Sequence, residues 1–198
     1  MYQSFNWNDI SGSGTPLNLS DDSYFFPVNL PFSFNFYGQD HTQVAVASNG
    51  TLYFQNAYLG LNNRPIPSST GYIPQVFIAV YWDDLNPSAG GQIYYQILGQ
   101  APDRTLVVQW QDVPHYGNPS DTVTAQAVLF EATNSILVQY LDPSGEAGSG
   151  ATEGIQGDPN PNTNWGLQYG FNTAILSPDL AICYAYPGAP GNCSTGVP

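Results

Sequence analysis

The side chains most suited to binding a metal ion follow the most apolar segment of the chain, residues 76–82. Calcium prefers about six to eight oxygen ligands, taken from carboxylates, amide carbonyls and backbone carbonyls. A loop at the end of this segment can supply such oxygens together with an acidic pair that lies earlier in the chain. The candidate calcium ligands are Asp21, Asp22, Asp83, Asp84 and Asn86.

The same residues have a second interpretation, in which they only turn the chain. Asp and Asn side chains bond to their own backbone in Asx turns. Neighbouring residues of a strand also point to opposite faces of the sheet. Asp83 and Asp84 can therefore bind one ion only where the backbone has already left the strand. Both interpretations stay open at the level of the sequence.

Catalytic arrangements have little support. The only histidines are His41 and His115, and neither a Gly-x-Ser-x-Gly elbow nor a His-Glu-x-x-His motif occurs. We expect His115 to lie in a loop rather than to bind a metal, because no second histidine or cysteine is near it in sequence. A glycosidase needs two carboxylates about 5 to 10 Å apart, and Asp112 and Glu131 are among the available acids. No pair stands out, so we predict that the protein is not an enzyme.

Aromatic side chains in predicted loops are candidates for ligand binding, since sugar rings stack on flat aromatic surfaces. Tyrosine is also common in β-sheets, where it packs across strands or at the edge of the core. Packing is therefore the alternative interpretation for each of these residues. The candidate ligand-binding residues are Tyr58, Tyr72, Tyr116 and Trp165.

The charge of the chain excludes several classes of protein. Its 198 residues include 15 acidic and 2 basic side chains, which gives a net charge of −13. Both basic residues are arginines, so there is no lysine for Schiff-base chemistry or for a phosphate-binding loop. Nucleic acid is not an expected partner, because phosphates are neutralised by Lys and Arg. We also expect no membrane insertion, because no stretch approaches about 20 apolar residues.

Two cysteines lie close together near the C-terminus. Cys183 and Cys193 flank a segment rich in Pro and Gly, which can bring the two sulfur atoms together. We predict a disulfide, which would contribute about 2 to 3 kcal/mol and requires an oxidising compartment. With a surface built from amides and hydroxyls, this favours a secreted or cell-surface protein.

Strand patterns dominate the chain, and helical periodicity is hard to find because 20 Gly and 17 Pro interrupt it. Residues 32–36 alternate between apolar and polar, and Asn49–Gly50 is a typical hairpin turn. The unbroken apolar run at 76–82 predicts a central strand that is covered on both faces. Further strands are predicted at 92–98, 104–110, 122–131, 135–141, 165–171 and 180–185.

About ten short strands with little helix indicate an all-β fold, an antiparallel β-sandwich or jelly roll with long loops at 56–74 and 142–164. We expect one domain over residues 1–198, because no linker divides the chain into two cores. Residues 173–198 would form the final strand and the disulfide-closed tail.

The order of the motifs resembles the extracellular nidogen-type (NIDO-like) domain. The resemblance covers about residues 20–172 and extends to plexin-domain-containing surface proteins and secreted bacterial proteins. It rests on LPFSFNFYG at 30–38, ASNGTLYF at 47–54, IAVYWDDLNP at 78–87, and the later strands at 93–95, 106–113, 125–130 and 136–140. It implies a non-catalytic β module of secreted proteins that takes part in matrix contact and adhesion.

We therefore expect an extracellular adhesion or binding module for a neutral ligand, either a glycan or a protein, with calcium bracing its loops. A second hypothesis is a subunit that binds copies of itself and builds a filament or matrix by pairing of edge strands. A third is a secreted glycoside hydrolase. The scarcity of cations on the surface favours a neutral ligand in the first case.

Overall fold

The computed structural model describes residues 3–58, 60–68, 76–157, 165–188 and 193, and within them the fold is a sandwich of two antiparallel six-stranded sheets. The first sheet contains, in hydrogen-bonded order, β1 (Thr15–Leu17), β6 (Gln92–Leu98), β7 (Thr105–His115), β8 (Asn118–Phe130), β9 (Ile136–Asp142) and β12 (Leu180–Tyr184). The second contains β11 (Gly166–Phe171), β10 (Thr152–Gln156), β5 (Phe77–Trp82), β4 (Thr51–Tyr53), β3 (Gln39–Ala47) and β2 (Tyr24–Phe36). No helix long and apolar enough to cross a membrane occurs in these ranges.

The predicted central strand is confirmed. β5 lies between β4 and β10, and all six of its residues are buried. Ile78 and Val80 belong to the main core between the two sheets. Phe77 and Ala79 belong to a second cluster on the outer face of the same sheet, which Ile66 helps to cover. An unbroken apolar run is needed here because both faces of the strand are packed.

The outer face of the first sheet is covered by the N-terminal segment, residues 3–10, which we call the strap. Gln109, Gln126 and Gln139 lie side by side on β7, β8 and β9, and all three are fully buried. The Gln139 side chain accepts a hydrogen bond from the backbone N–H of Asn6 and donates one to its carbonyl. Gln126 donates to the carbonyl of Asn8 at 2.6 Å. At Asn6 and Asn8 the strap is not paired with a strand, and the glutamine side chains form hydrogen bonds with its backbone instead.

The strap also contacts the disulfide, which the structure confirms between Cys183 and Cys193. The side chain of Gln3 accepts a hydrogen bond from the backbone N–H of Cys193 and donates one to its carbonyl. Cys193 is buried in the cluster on the outer face of the first sheet. The disulfide and the strap therefore hold each other against this sheet.

The predicted loop at 142–164 was wrong over residues 152–156, which form β10, an internal strand of the second sheet between β11 and β5. Glu153 and Gly154 obscure this strand in the sequence, because both residue types are depleted in strands. The register shifts at this point, and Gly154 has a φ of 158°. β7 and β8 are also longer than predicted, so that His115 ends β7 instead of lying in a loop.

We predict that Gln126→Ala lowers the free energy of unfolding by about 1 to 3 kcal/mol, because it removes the donor to the strap carbonyl of Asn8 and to the buried side-chain oxygen of Gln109. The measurement is urea unfolding of both proteins at one pH. Gln43→Ala is the matched control, since the exposed side chain of Gln43 donates a hydrogen bond to Asn29 across β2 and β3 and does not contact the strap. Equal losses in the two variants would contradict a role of the glutamine row in holding the strap.

Candidate functional site

The two ends of the sandwich differ in chemistry, and the direction of each strand determines at which end its connecting loop lies. β5, β7 and β9 all end at one end, together with the loop that leads into β2. Acidic side chains gather there, and we call this the acidic end. β2, β10 and β12 end at the opposite end, where aromatic and aliphatic side chains line a cavity of about 380 Å³. We call this the aromatic end.

Three of the predicted calcium ligands come together at the acidic end. Carboxylate oxygens of Asp21, Asp22 and Asp84 lie within 4.8 Å of one another. Asp21 and Asp22 occupy the turn before β2, and Asp84 follows β5. One oxygen of Asp21, Oδ1, is buried and has no hydrogen-bond partner among the described residues. We call these three residues the aspartate triad.

Neighbouring side chains hold the aspartate triad in place. The fully buried Asn49 donates to Asp22 Oδ1 at 2.9 Å, and its own oxygen accepts from the backbone N–H of Leu85. The hydroxyl of Tyr58 also donates to Asp22 Oδ1. Asn49 therefore links the turn before β2 to the loop after β5. Asn49 was predicted only as a turn residue, and the sequence around it does not reveal that its side chain also holds Asp22 and the loop after β5.

Burial and the repulsion between neighbouring carboxylates make two members of the aspartate triad, Asp21 and Asp84, costly to ionise. Burial raises the pKa of Asp84, and the negative charges of Asp22, Asp21 and Asp83 raise it further. Burial, followed by the charge of Asp22, also raises the pKa of Asp21. A bound cation would relieve both effects, because it favours the charged form of each carboxyl.

Asp83 and Asn86 do not join the triad. Asp83 lies on the other side of the chain, where its Oδ2 is 3.5 Å from Nε2 of His115. Asn86 accepts a hydrogen bond from the backbone N–H of Ser88, which is the Asx turn considered as the alternative for this loop. The opposite directions of Asp83 and Asp84 follow from their adjacent positions at the end of a strand.

The predicted aromatic candidates have different surroundings. Tyr58 stacks on Tyr24 at 5.9 Å and bonds to the aspartate triad, so it packs and supports the acidic end. Tyr116 is 61% exposed in the turn between β7 and β8. Trp165 is 44% exposed and lines the cavity at the aromatic end. Tyr72 lies outside the described residues.

Apart from Trp165, the cavity at the aromatic end is built from residues that the sequence analysis did not name as candidates. Tyr37 stacks on Trp165, with ring centroids 6.3 Å apart and planes inclined by 14°. Tyr37 lies directly against Gly157, where a Cβ would overlap its ring. The other described residues of the lining are Asn35, Phe36, Gly38, Asn134, Ile136, Ile155, Leu167, Tyr184, Ala185, Tyr186 and Pro187. Tyr37 and Gly38 form the turn between β2 and β3, and the alternating pattern at 32–36 is the only sequence signal that predicts a strand leading into this turn.

Glu153 is a buried acid that sequence reasoning missed. Its side chain is fully buried in β10, and neither carboxylate oxygen has a hydrogen-bond partner among the described residues. Burial raises its pKa to about 8, with a smaller contribution from the charge of Asp83. A glutamate inside a Gly-rich stretch carries no sequence signal for burial.

Comparison with known proteins returned one result. A family model described as NIDO related matches residues 2–185. Neither the curated proteins nor the solved structures gave a significant match.

We predict that Glu153→Gln flattens the pH dependence of stability. The folded pKa of about 8 lies above the ordinary value of 4.5, so the folded state binds the proton more tightly than the unfolded state. The contribution of protonated Glu153 to the free energy of unfolding of the wild-type protein is fully present below pH 4.5 and is lost as the pH rises towards 8. Glutamine resembles the protonated acid and loses nothing, so the variant gains up to about 4 kcal/mol at pH 8 relative to wild type.

Urea unfolding at several pH values between 4.5 and 8 measures this difference. If the free energies of unfolding of the two proteins change with pH by the same amount across this range, a buried, protonated Glu153 is contradicted.

Proposed function

Because the chain belongs to the NIDO-related family, we propose that it is a non-catalytic extracellular binding module whose ligand is a neutral glycan. The nidogen-like domain and the disulfide support an extracellular location, since disulfides persist in oxidising compartments. We choose a glycan as the ligand because Tyr37 and Trp165 form a stacked pair beside an open cavity.

The aromatic pair offers the kind of surface on which a sugar ring stacks. The C–H groups on one face of a pyranose ring are apolar and pack against flat aromatic rings. Trp165 is 44% exposed, so its ring is accessible to a ligand. The cavity volume of about 380 Å³ lies in the range of small-ligand sites, about 300 to 1,000 Å³.

The lining favours a neutral ligand over a charged one. Among the described residues, the lining consists of aromatic, aliphatic, glycine, proline and amide groups, with no Asp, Glu, Lys, Arg or His. A charged ligand would lose hydration in this cavity without gaining a partner of opposite charge. Asn35 and Asn134 add neutral amide groups to the lining.

Self-assembly through edge strands has less support. β2 is the long edge strand of the second sheet, and it contains Pro27 and Pro31, which have no N–H to donate to another strand. The edge strands of the first sheet are short, with three residues in β1 and five in β12. Polymers built by edge pairing usually need longer and unobstructed edges.

A glycosidase mechanism also has less support. Glu131 receives two hydrogen bonds from the guanidinium of Arg104, at 2.6 and 2.5 Å. These bonds lower the pKa of Glu131, so it is a poor proton donor at neutral pH. Asp83 and Asp84 point to different clusters, and Asp112 is bonded to Thr124 in a bulge of β7.

Calcium bound by the aspartate triad forms the second part of the proposal. All three side chains offer hard oxygen ligands, and Asp21 Oδ1 is buried without a partner among the described residues. Such donors suit calcium, which binds oxygen at about 2.3 to 2.6 Å. The ion would brace the turn before β2 against the loop after β5.

We predict that the protein binds at least one neutral glycan on an array and that Trp165→Ala lowers the affinity at least about tenfold, because stacking on the ring is lost. Calorimetry with the best glycan of the array measures the change. Tyr116→Ala is the matched control, since it removes another exposed ring at the opposite end and should leave the affinity unchanged. Equal affinities for wild type and Trp165→Ala would contradict the proposed site.

We predict that calcium raises the midpoint of thermal unfolding of the chelator-treated protein by several degrees, because the ion binds only the native state. Asp84→Asn should abolish this shift. Glu146→Gln should keep the shift, because Glu146 lies near Asp83 and His115 and is not part of the aspartate triad. A calcium-induced shift that survives in Asp84→Asn would contradict binding by the aspartate triad.

A further inference from the structure

A buried histidine at the end of β7 has one ring nitrogen without a hydrogen-bond partner. His115 is only 6% exposed, and its Nδ1 lies 3.1 Å from the backbone oxygen of Asp121. A carbonyl oxygen only accepts, so Nδ1 carries the hydrogen and Nε2 of the neutral ring carries a lone pair. Nε2 has no hydrogen-bond partner among the described residues.

This lone pair faces a carboxylate. Nε2 of His115 is 3.5 Å from Oδ2 of Asp83, which is longer than a hydrogen bond. When the ring is neutral, these are two acceptors that face each other inside the protein, and they repel unless a proton or a metal ion lies between them. An atom of Glu146 completes the group, since one ligand atom from each of the three residues lies within 4.8 Å of the others.

The backbone is shaped to admit both carboxylates. A Cβ at Gly150 would lie 2.9 Å from Oδ2 of Asp83 and 3.1 Å from Oε2 of Glu146. Any larger residue at this position would crowd both groups. The loop between β9 and β10 therefore comes close to the end of β5 only because residue 150 is a glycine.

Neither arginine forms an ion pair with Asp83 or Glu146. Arg104 is bound to Glu131, and Arg64 is exposed. The same loop also covers the carboxylate of Glu153, with Oε1 3.0 Å from the position of a Cβ at Gly148. Glu153 is fully buried, and neither of its oxygens has a partner among the described residues. The region around His115 therefore has an independent excess of acceptors over donors.

We propose that Asp83, His115 and Glu146 bind a divalent transition metal ion of the zinc class. One imidazole nitrogen with two carboxylates is a donor set that suits zinc, whereas calcium takes oxygen ligands only. Zinc bonds of about 2.0 to 2.2 Å place two tetrahedral ligands about 3.4 Å apart, close to the 3.5 Å between His115 and Asp83. The Asp121 carbonyl orients the ring through Nδ1, as outer partners of metal-binding histidines do.

The proposed ion links three parts of the acidic end, and a backbone bridge between Leu85 and His115 already joins the first two of them. Asp83 follows β5, His115 ends β7, and Glu146 lies in the loop between β9 and β10. Three protein ligands leave the fourth position of a tetrahedral ion open to water or to another ligand. This site is separate from the aspartate triad, because Asp83 and Asp84 point in different directions.

Zinc titration of the full chain, followed by ¹⁵N NMR of the imidazole rings, tests the proposal. The chain has only two histidines, so His41 serves as an internal reference. Without metal, and at an alkaline pH where the ring is neutral, we expect His115 to show a protonated Nδ1 and a bare Nε2. One equivalent of zinc should shift Nε2 of His115 and leave His41 unchanged.

Substitutions distinguish zinc binding at this site from cation binding at the aspartate triad. Glu146→Gln should weaken zinc binding at least about tenfold, whereas Asp84→Asn should bind zinc as wild type does. Glu146 is only partly buried, so the variant should fold, and far-ultraviolet circular dichroism verifies this. The proposal is overturned by a His115 ring that stays protonated on both nitrogens with zinc present, by equal zinc affinity in Glu146→Gln, or by calcium displacing zinc at equal concentration.

Discussion

The scarcity of positive charge governs the chemistry of this protein. Fifteen acidic side chains face two arginines, and Arg104 is bound to Glu131 near the aromatic end. Acidic groups that converge elsewhere must therefore be balanced by backbone N–H groups, hydroxyls, protons or metal ions. The buried acids cannot remain charged and unpaired, because an isolated charge is strongly disfavoured in a protein interior.

The acidic end divides its carboxylates into two sets with different donor chemistry. The aspartate triad offers oxygen only and is held by Asn49 and Tyr58. The second set combines Asp83 and Glu146 with an imidazole nitrogen. This division arises because two adjacent residues at the end of β5 point to opposite sides. We infer that cations brace the loops of this end, while the uncharged cavity at the other end remains available for a ligand.

The sandwich core also explains how two such different ends can belong to one fold. Both sheets are buried on both faces over their central strands, so the strands are held firmly from one end to the other. The strap covers one outer face through the row of buried glutamines, and Ile66 with its neighbours covers the other. The loops at each end can then differ in composition without weakening the core.

Much of the fold follows from local sequence patterns, but the sites depend on tertiary contacts. The apolar run at 76–82 and the Asn49–Gly50 turn predict β5 and the β3–β4 hairpin, and alternation along a strand predicts that Asp83 and Asp84 diverge. β10 escapes prediction because Glu153 and Gly154 are poor strand residues. His115 and Glu146 come together only when the β7–β8 hairpin and the loop before β10 pack at one end. Their separation in sequence carries no sign of this contact.

Anomalous X-ray diffraction from crystals grown with zinc and with manganese, a calcium substitute, tests most directly whether cations balance the acidic end. We expect a zinc peak between Asp83, His115 and Glu146 and a manganese peak among Asp21, Asp22 and Asp84. Crystals at neutral pH with no metal peak at either position, and with His115 hydrogen-bonded to a closer Asp83, would contradict this explanation.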